Sequence, residues 1–246
     1  MKWDSQSISQ LTREVHVWVV DLGAAQELVD RAILMLTGVE RERAARFKVL
    51  SARREFVLSR SVLRKLLSRI LGAQADYLEF SYNEYGKPRL ARDTCSIRFN
   101  VSHCGDIAVF AITAGCELGI DIEAVRQVDD LKGVAEHFFC PAERAELNRV
   151  PDVPRSSAFL SCWVRKEAYM KALGGGLSIR PDTFHVTMLP SPAALVSVDG
   201  DENKATIWTI QDFFTPGYIG AVAFPQTGRL VYVHRQTPAA DILEGL

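Results

Sequence analysis

Leu118-Gly119-Ile120-Asp121-Ile122-Glu123 is a run in which apolar and polar positions alternate. Period-two alternation predicts a strand, because successive side chains on a strand point to opposite faces. Leu118, Ile120 and Ile122 are then expected to face a core. Gly119, Asp121 and Glu123 share the other face, which sets two carboxylates side by side. Like charges that close repel, and a hard cation such as Mg²⁺ would offset them, since it takes carboxylate oxygens. A solvated polar face on an edge strand accounts for the same pattern.

Working outward from this strand, the chain falls into two comparable stretches. Upstream, residues 15–20 (Val-His-Val-Trp-Val-Val) predict a strand, and Glu40 to Leu71 predicts one long helix or two abutting ones. Phe56, Leu63, Leu66, Leu67 and Ile70 recur there at three- and four-residue spacing, and Gly72 supplies the stop. A turn follows at Asn83-Glu84-Tyr85-Gly86-Lys87-Pro88. Strands around 97–101 and 107–113 are expected to be joined by a loop, Ser102-His103-Cys104-Gly105-Asp106. Downstream, mixed helical segments reach about Val150, and Pro151-Asp152-Val153-Pro154 predicts a break. A helix then runs from Ser156 or Ser157 to Leu173 and stops at Gly174-Gly175-Gly176. Strands are expected at 184–188, 205–210 and 218–224. Strand, helix, hairpin therefore occurs twice, which argues for an α+β fold with weak internal duplication.

Composition bounds what such a molecule does. The 246 residues hold 29 Lys+Arg against 30 Asp+Glu, so broad electrostatic binding to nucleic acid is not expected and any phosphate recognition is local. At 48% hydrophobic residues the chain builds its own core without staples. No window reads as a membrane-spanning helix. The polar start, Met1 to Gln10, does not read as a signal peptide. Five cysteines without a C-x-x-C pair argue against a disulfide framework or a zinc site and fit reduced thiols in a cytoplasm.

Three further segments carry chemistry. In the helix Phe159 to Leu173, apolar nearly all round, Trp163, Glu167 and Lys171 lie along one flank at four-residue spacing. Glu167 beside Trp163 needs a partner if buried. An ordinary surface Glu–Lys pair explains the same spacing. In Arg98-Phe99-Asn100-Val101-Ser102-His103, a hydroxyl and an imidazole are both able to hold a phosphate; a turn histidine bonded to backbone is the plainer account. Most of Arg43, Arg53, Arg54, Arg60 and Arg64 are expected on the wet face of a helix, and Lys87 sits in a stiff Gly86-Lys87-Pro88 turn.

Taken together, Phe99-Asn100-Val101-Ser102-His103, Leu118 to Glu123, and Trp163-Val164-Arg165-Lys166-Glu167-Ala168-Tyr169-Met170-Lys171 resemble the Sfp-type 4′-phosphopantetheinyl transferases. The three blocks stand in the family's order and at its spacing. Gly86-Lys87-Pro88, the stretch from Arg43 to Phe47 and Gly217-Tyr218 also look like family features. Val164 and Leu118 depart from the usual residues at their positions, but neither change removes a carboxylate or a phosphate ligand.

The resemblance implies two similar α+β halves, 1–116 and 117–246, related by a pseudo-twofold axis, with coenzyme A in the cleft between them. It implies transfer of the 4′-phosphopantetheine arm of coenzyme A to a serine of an apo acyl or peptidyl carrier protein, releasing adenosine 3′,5′-bisphosphate. Asp121, Glu123 and Glu167 would hold Mg²⁺. Glu167 would also take the serine proton, and Lys171 would neutralise the leaving diphosphate. Ser102 and His103, helped by Arg43 and Lys87, would bind coenzyme A at its 3′-phosphate. The segment after Glu123, with Arg126, Phe138 and Phe139, is the expected carrier landing site. The fused length favours a monomer. A degenerate relative that grips coenzyme A or carriers without catalysis is the rival reading, and a Mg²⁺ phosphohydrolase using water in place of serine is a second.

Overall fold

The computed structural model describes residues 5–23, 26–93, 95–225 and 228–244; Met1 to Asp4 of the polar start, and Gly245 and Leu246, lie outside them. The first stretch comprises helix α1 (Ser5–Leu11), strand β1 (Glu14–Asp21), and helices α2 (Gln26–Ala32), α3 (Gly38–Ala45) and α4 (Leu50–Leu71). Strands β2 (Phe80–Tyr82), β3 (Pro88–Leu90), β4 (Ile97–Cys104) and β5 (Ile107–Ala114) complete it. The second comprises strand β6 (Gly119–Ala124) and helices α5 (Leu131–Phe138), α6 (Pro141–Arg149) and α7 (Asp152–Leu173). Strands β7 (Phe184–Val186), β8 (Leu195–Val198), β9 (Trp208–Thr215) and β10 (Tyr218–Pro225) follow, then β11 (Leu230–Pro238) and helix α8 (Ala239–Leu243). No helix of the described residues is long and apolar enough to cross a membrane.

The fold is α+β, and the same order of elements occurs twice. In each half a strand is followed by a 22-residue helix, α4 or α7, that ends on a glycine in the left-handed region, Gly72 or Gly174. A small two-stranded sheet follows, then a hairpin whose second strand pairs antiparallel with the first strand of the half. The first sheet has the order β11-β1-β5-β4 and the second β6-β10-β9. Glycine ends both helices because a left-handed residue there carries no Cβ penalty.

The two sheets meet face to face. Val15, Val17, Val19, Val109 and Ala111 from the first form one buried cluster with Leu118, Ile120, Ile122, Val222 and Phe224 from the second. The outer face of the first sheet packs against α4 through residues such as Leu58, Val62 and Leu67. The outer face of the second packs against α7, with Val164 and Ala168 against Ala221 and Ala223. The layers thus run helix, sheet, sheet, helix. Each buried Val, Leu or Ile contributes about 1.5–3 kcal/mol relative to leaving it in water.

Of the two readings of Glu40 to Leu71, one helix or two, the structure has two, parted between Ala45 and Leu50. Other details differ from the expectations above, and the strand expected at 205–210 runs instead from Trp208 to Thr215. The 102–106 loop is shorter: β4 runs through Cys104, paired to Ile107, and Gly105 and Asp106 alone make the turn. Gly105 takes φ 59°, the left-handed geometry such a two-residue turn asks for. Helix α7 begins at Asp152 rather than at Ser156 or Ser157, since a proline in the first helical turn forfeits no intrahelical hydrogen bond. Finally, the boundary at 116/117 does not hold at the far end of the chain. β11 returns to pair in parallel with β1, and Ala239, Ile242 and Leu243 enter the core of the first half.

The β1–β11 seam carries a stack of rings. Trp18 lies 4.6 Å from His234, and His16 lies 5.2 Å from His234 and 5.3 Å from Tyr232, centroid to centroid. His16 Nε2 is 2.9 Å from Glu14 Oε2, and His16 Nδ1 is 3.0 Å from His234 Nε2. With Glu14 ionised, His16 donates to the carboxylate and accepts from His234, a tautomer fixed by the network. Burial holds both imidazoles below their usual range, Glu14 partly opposing this at His16, and His234 is pushed down to about 4.

Candidate functional site

Strand β4 has two working faces, and its register decides which residue serves which. Its even-numbered side chains turn to β6. Asn100 Oδ1 accepts from the Ile120 amide at 2.9 Å, Ser102 Oγ donates to Asp121 Oδ1 at 2.7 Å, and Cys104 Sγ lies 3.8 Å from Glu123 Oε2. Burial, with Glu123 adding to it, keeps the Cys104 thiol protonated and therefore a donor. The odd-numbered side chains turn the other way: Phe99 packs edge-on against Phe80 at 5.6 Å, and His103 Nε2 is 3.1 Å from Glu55 Oε1 on α4.

Strand β6 behaves as its alternation predicts. Leu118, Ile120 and Ile122 are buried between the sheets, whereas Asp121 and Glu123 lie on the opposite face, toward α7. Gly119 brings the strand against the helix backbone: a Cβ there would stand 2.1 Å from the Ala168 carbonyl oxygen and 2.3 Å from the Ala172 nitrogen. That contact carries Lys171 onto the strand. Its Nζ donates to Asp121 Oδ1 at 2.6 Å and to Ser102 Oγ at 2.9 Å. Asp121 is only 5% exposed, so its charge is balanced by the ammonium and the hydroxyl rather than by solvent.

Glu167, one turn before Lys171, completes the acidic group. Burial raises its carboxyl above the ordinary range, the charges of Asp121 and Glu123 add to this, and Lys171 opposes it. Glu123 is raised as well, by burial first and by Asp121 second, with Arg126, Cys104 and Lys171 opposing. Two half-buried carboxyls held up by a third acid are a region of excess negative charge, and their oxygens are the hard donors a divalent cation takes. Among the described residues, no three acid, imidazole or thiol groups stand close enough together to cage an ion with Lys171 on Asp121 as seen. The donor chemistry fits a hard cation, and the carboxylates would have to draw together around it.

A second region lies on the other side of β4. Arg43, Glu55, Ser59, Arg60, Val101 and His103 line a cavity of about 340 Å³ between α3, α4 and β4. Arg43 and Arg60 lie over the Phe56 ring, at 5.1 and 5.9 Å. Arg60 Nη1 is buried without a hydrogen-bond partner among the described residues. A pocket with two guanidinium groups and an imidazole suits an anion such as a phosphate.

The predicted site residues therefore divide. Asp121, Glu123, Glu167 and Lys171 come together, and Arg43 and His103 come together in the basic cavity. Two expected coenzyme A ligands are engaged by protein groups in the structure. Ser102 is 6% exposed, and it bonds to Asp121 and Lys171 instead of joining its neighbour His103, because adjacent strand residues face opposite ways. Lys87 Nζ is taken up by Glu117 Oε2 at 2.8 Å and by the carbonyls of Leu118 and Ala172, both at 3.1 Å. Phe139 is 1% exposed and stacked on Phe159 at 5.0 Å, so it is core; Phe138 is 38% exposed and edge-on to Trp163. Nor is the helix face of arginines uniformly wet. Arg64 is buried and bonded to Glu40 Oε2 at 2.8 Å and to the carbonyls of Ala75 and Leu78. Asn100 and Cys104 were missed; the even-numbered alternation from Asn100 to Cys104 was the signal.

Comparison with known proteins gives this geometry a context. Residues 117–223 match the family profile described as the 4′-phosphopantetheinyl transferase superfamily, and residues 24–115 match one described as 4′-phosphopantetheinyl transferase, N-terminal. The chain is 32% identical to the 4′-phosphopantetheinyl transferase HetI of Nostoc sp. over 190 residues, 76% of this chain and 80% of that one. It is 27% identical to the 4′-phosphopantetheinyl transferase Sfp of Bacillus subtilis over 203 residues, 82% and 88% of the two chains. Among solved structures, the holo-[acyl-carrier-protein] synthase of Thermotoga maritima aligns with a TM-score of 0.37 and 20% identity, over 45% of this chain and 63% of that one.

Proposed function

This chain belongs to the 4′-phosphopantetheinyl transferase superfamily, and from that premise we propose that it moves the 4′-phosphopantetheine arm of coenzyme A onto a serine of an apo acyl or peptidyl carrier protein, with Mg²⁺ as the metal. The observation that carries the reading is the Lys171–Asp121 pair at 2.6 Å, set beside two carboxyls whose protons are held more tightly than usual.

In this reading Asp121, Glu123 and Glu167 are the residues that would hold the ion. When bound, it would supply positive charge to the diphosphate and to the departing phosphate. Lys171 brings a second positive charge to the same place, where charge gathers on the leaving group. Ser102 fixes the Asp121 carboxylate, so the acid does not have to reorganise as substrate arrives. Glu167 accepts the proton of the carrier serine, directly or through a water. A carboxyl raised by burial and by neighbouring acids is a better base at neutral pH than a solvated one. The serine oxygen bonds to the phosphorus that carries pantetheine, the diphosphate bond breaks, and adenosine 3′,5′-bisphosphate leaves. Arg43 and His103 take the 3′-phosphate in the basic cavity. Arg126, whose charge reaches Glu123, and the exposed Phe138 serve as carrier contacts, and one chain supplies the residues for both substrates, so a monomer suffices.

The test is direct. Incubation of the protein with coenzyme A, Mg²⁺ and a panel of apo-carriers should give a carrier mass gain of one phosphopantetheine arm. Asp121→Ala should slow the gain by about 10²–10³-fold, the scale on which loss of a preorganised charged group acts. A variant that keeps wild-type rates at saturating Mg²⁺ discredits the assignment of the acids.

A further inference from the structure

The turn between β2 and β3 belongs to the first half but is bonded to the second. Lys87 donates to Glu117 Oε2 at 2.8 Å, to the Leu118 carbonyl at 3.1 Å and to the Ala172 carbonyl at 3.1 Å. An ammonium has three protons, so this one is fully committed. Asn83 Nδ2 adds a bond to the Gly174 carbonyl at 2.8 Å. The same side chain freezes the turn, its Oδ1 accepting from the amides of Tyr85 at 3.0 Å and Lys87 at 2.8 Å. Gly174 packs against this clasp, with room for a Cβ only at 3.1 Å from Lys87 Cδ.

The bonded carbonyls are not arbitrary. Ala172 and Gly174 stand at the end of α7, where helix carbonyls lack intrahelical donors and a cation is favoured. Lys171 immediately precedes Ala172, and Glu167 lies one turn back. Leu118, the third acceptor, opens the strand that carries Asp121. One side chain from the first half therefore holds the end of the catalytic helix and the start of the acidic strand at once. Burial lowers the proton affinity of Lys87, and Glu117, which also accepts from Arg98 Nε at 2.8 Å, offsets this.

We propose that Lys87, with Asn83, is a positioning residue that clasps the end of α7 to β6 and so sets Lys171 and Glu167 against Asp121, rather than a ligand of coenzyme A. This rests on the transferase reading above. Steady-state kinetics of the full chain with coenzyme A and an apo-carrier test it. Lys87→Met should lower kcat at least tenfold while KM for coenzyme A stays within twofold of wild type. Asn83→Ala should show a smaller fall of the same kind, and Lys87→Arg, which keeps donors for the carbonyls, should recover part of the rate. A tenfold rise in KM with kcat unchanged makes Lys87 a ligand and overturns the clasp; so does the absence of any change. If Lys87→Met does not fold, Asn83→Ala decides by the same split. Should the wild type modify no carrier, the transferase reading fails on its own. The clasp is then judged by hydrogen exchange: Lys87→Met must speed exchange of the Gly174 amide, which bonds the Met170 carbonyl at 3.0 Å, and unchanged exchange overturns it.

Discussion

At the scale of single residues, the molecule keeps acids where solvent is scarce. Glu167 and Glu123 bind protons more tightly folded than unfolded. The sign follows from linkage: above the unfolded carboxyl value the folded state binds more protons, so stability falls as pH rises through the folded value and the penalty is fully present above it. Glu167→Gln should therefore stabilise the protein at pH 7 while abolishing transfer. A gain of about 1 kcal/mol would raise Tm by about 2–4 °C in a chain of this size. The difference from wild type should shrink as pH is lowered past the ordinary carboxyl range; thermal melts at pH 4 and pH 7 check both points. Asp121 with Glu123, and Glu167 with Lys171, were legible as pairs because strand and helix periods fix which side chains share a face; that the two pairs meet was implied only by the family resemblance. The bond from Ser102 to Asp121 was not legible, since alternation along one strand does not say which neighbour its even-numbered face meets.

At the scale of elements, register does the sorting. Because β4 continues through Cys104, one strand sends Ser102 toward the acids and His103 toward the arginines. The polar run from Ser102 to Asp106 reads as a loop, although pairing with β5 extends through Cys104. The β1–β11 seam makes a different prediction. His16 and His234 are held neutral, so the seam's contribution is complete above the unfolded imidazole value of about 6.5. It is lost progressively as pH falls toward about 4, the folded value of His234. The loss should not exceed about 2 kcal/mol once the ring's partial exposure is allowed for. His234→Phe keeps the ring stack and removes one titrating group, so its urea midpoint should change less between pH 7 and pH 4 than that of wild type.

At the scale of the whole molecule, the twofold repetition was readable and the return of the chain was not. Two long helices stopped by Gly72 and Gly174, each between a strand and a hairpin, are strong local signals. β11 is a weak one: a mostly exposed edge strand shows no alternation, and its partner β1 lies at the other end of the sequence. A chain ended after Pro225 would lose that strand together with Ala239, Ile242 and Leu243. At about 1.5–3 kcal/mol for a large buried side chain, this consumes much of a typical stability of about 5–15 kcal/mol. Such a truncation should lose its cooperative thermal transition by circular dichroism, even though residues 1–225 contain every acid of the site. The return also has a consequence for biosynthesis. A ribosome working at about 5–20 residues per second releases β1 on the order of ten to forty seconds before β11. For that interval the nascent chain displays Glu14 to Asp21 with one flank open to any passing extended peptide. The strand made early is thus sealed only by one made some two hundred residues later, and its maturation waits on residues 230–238.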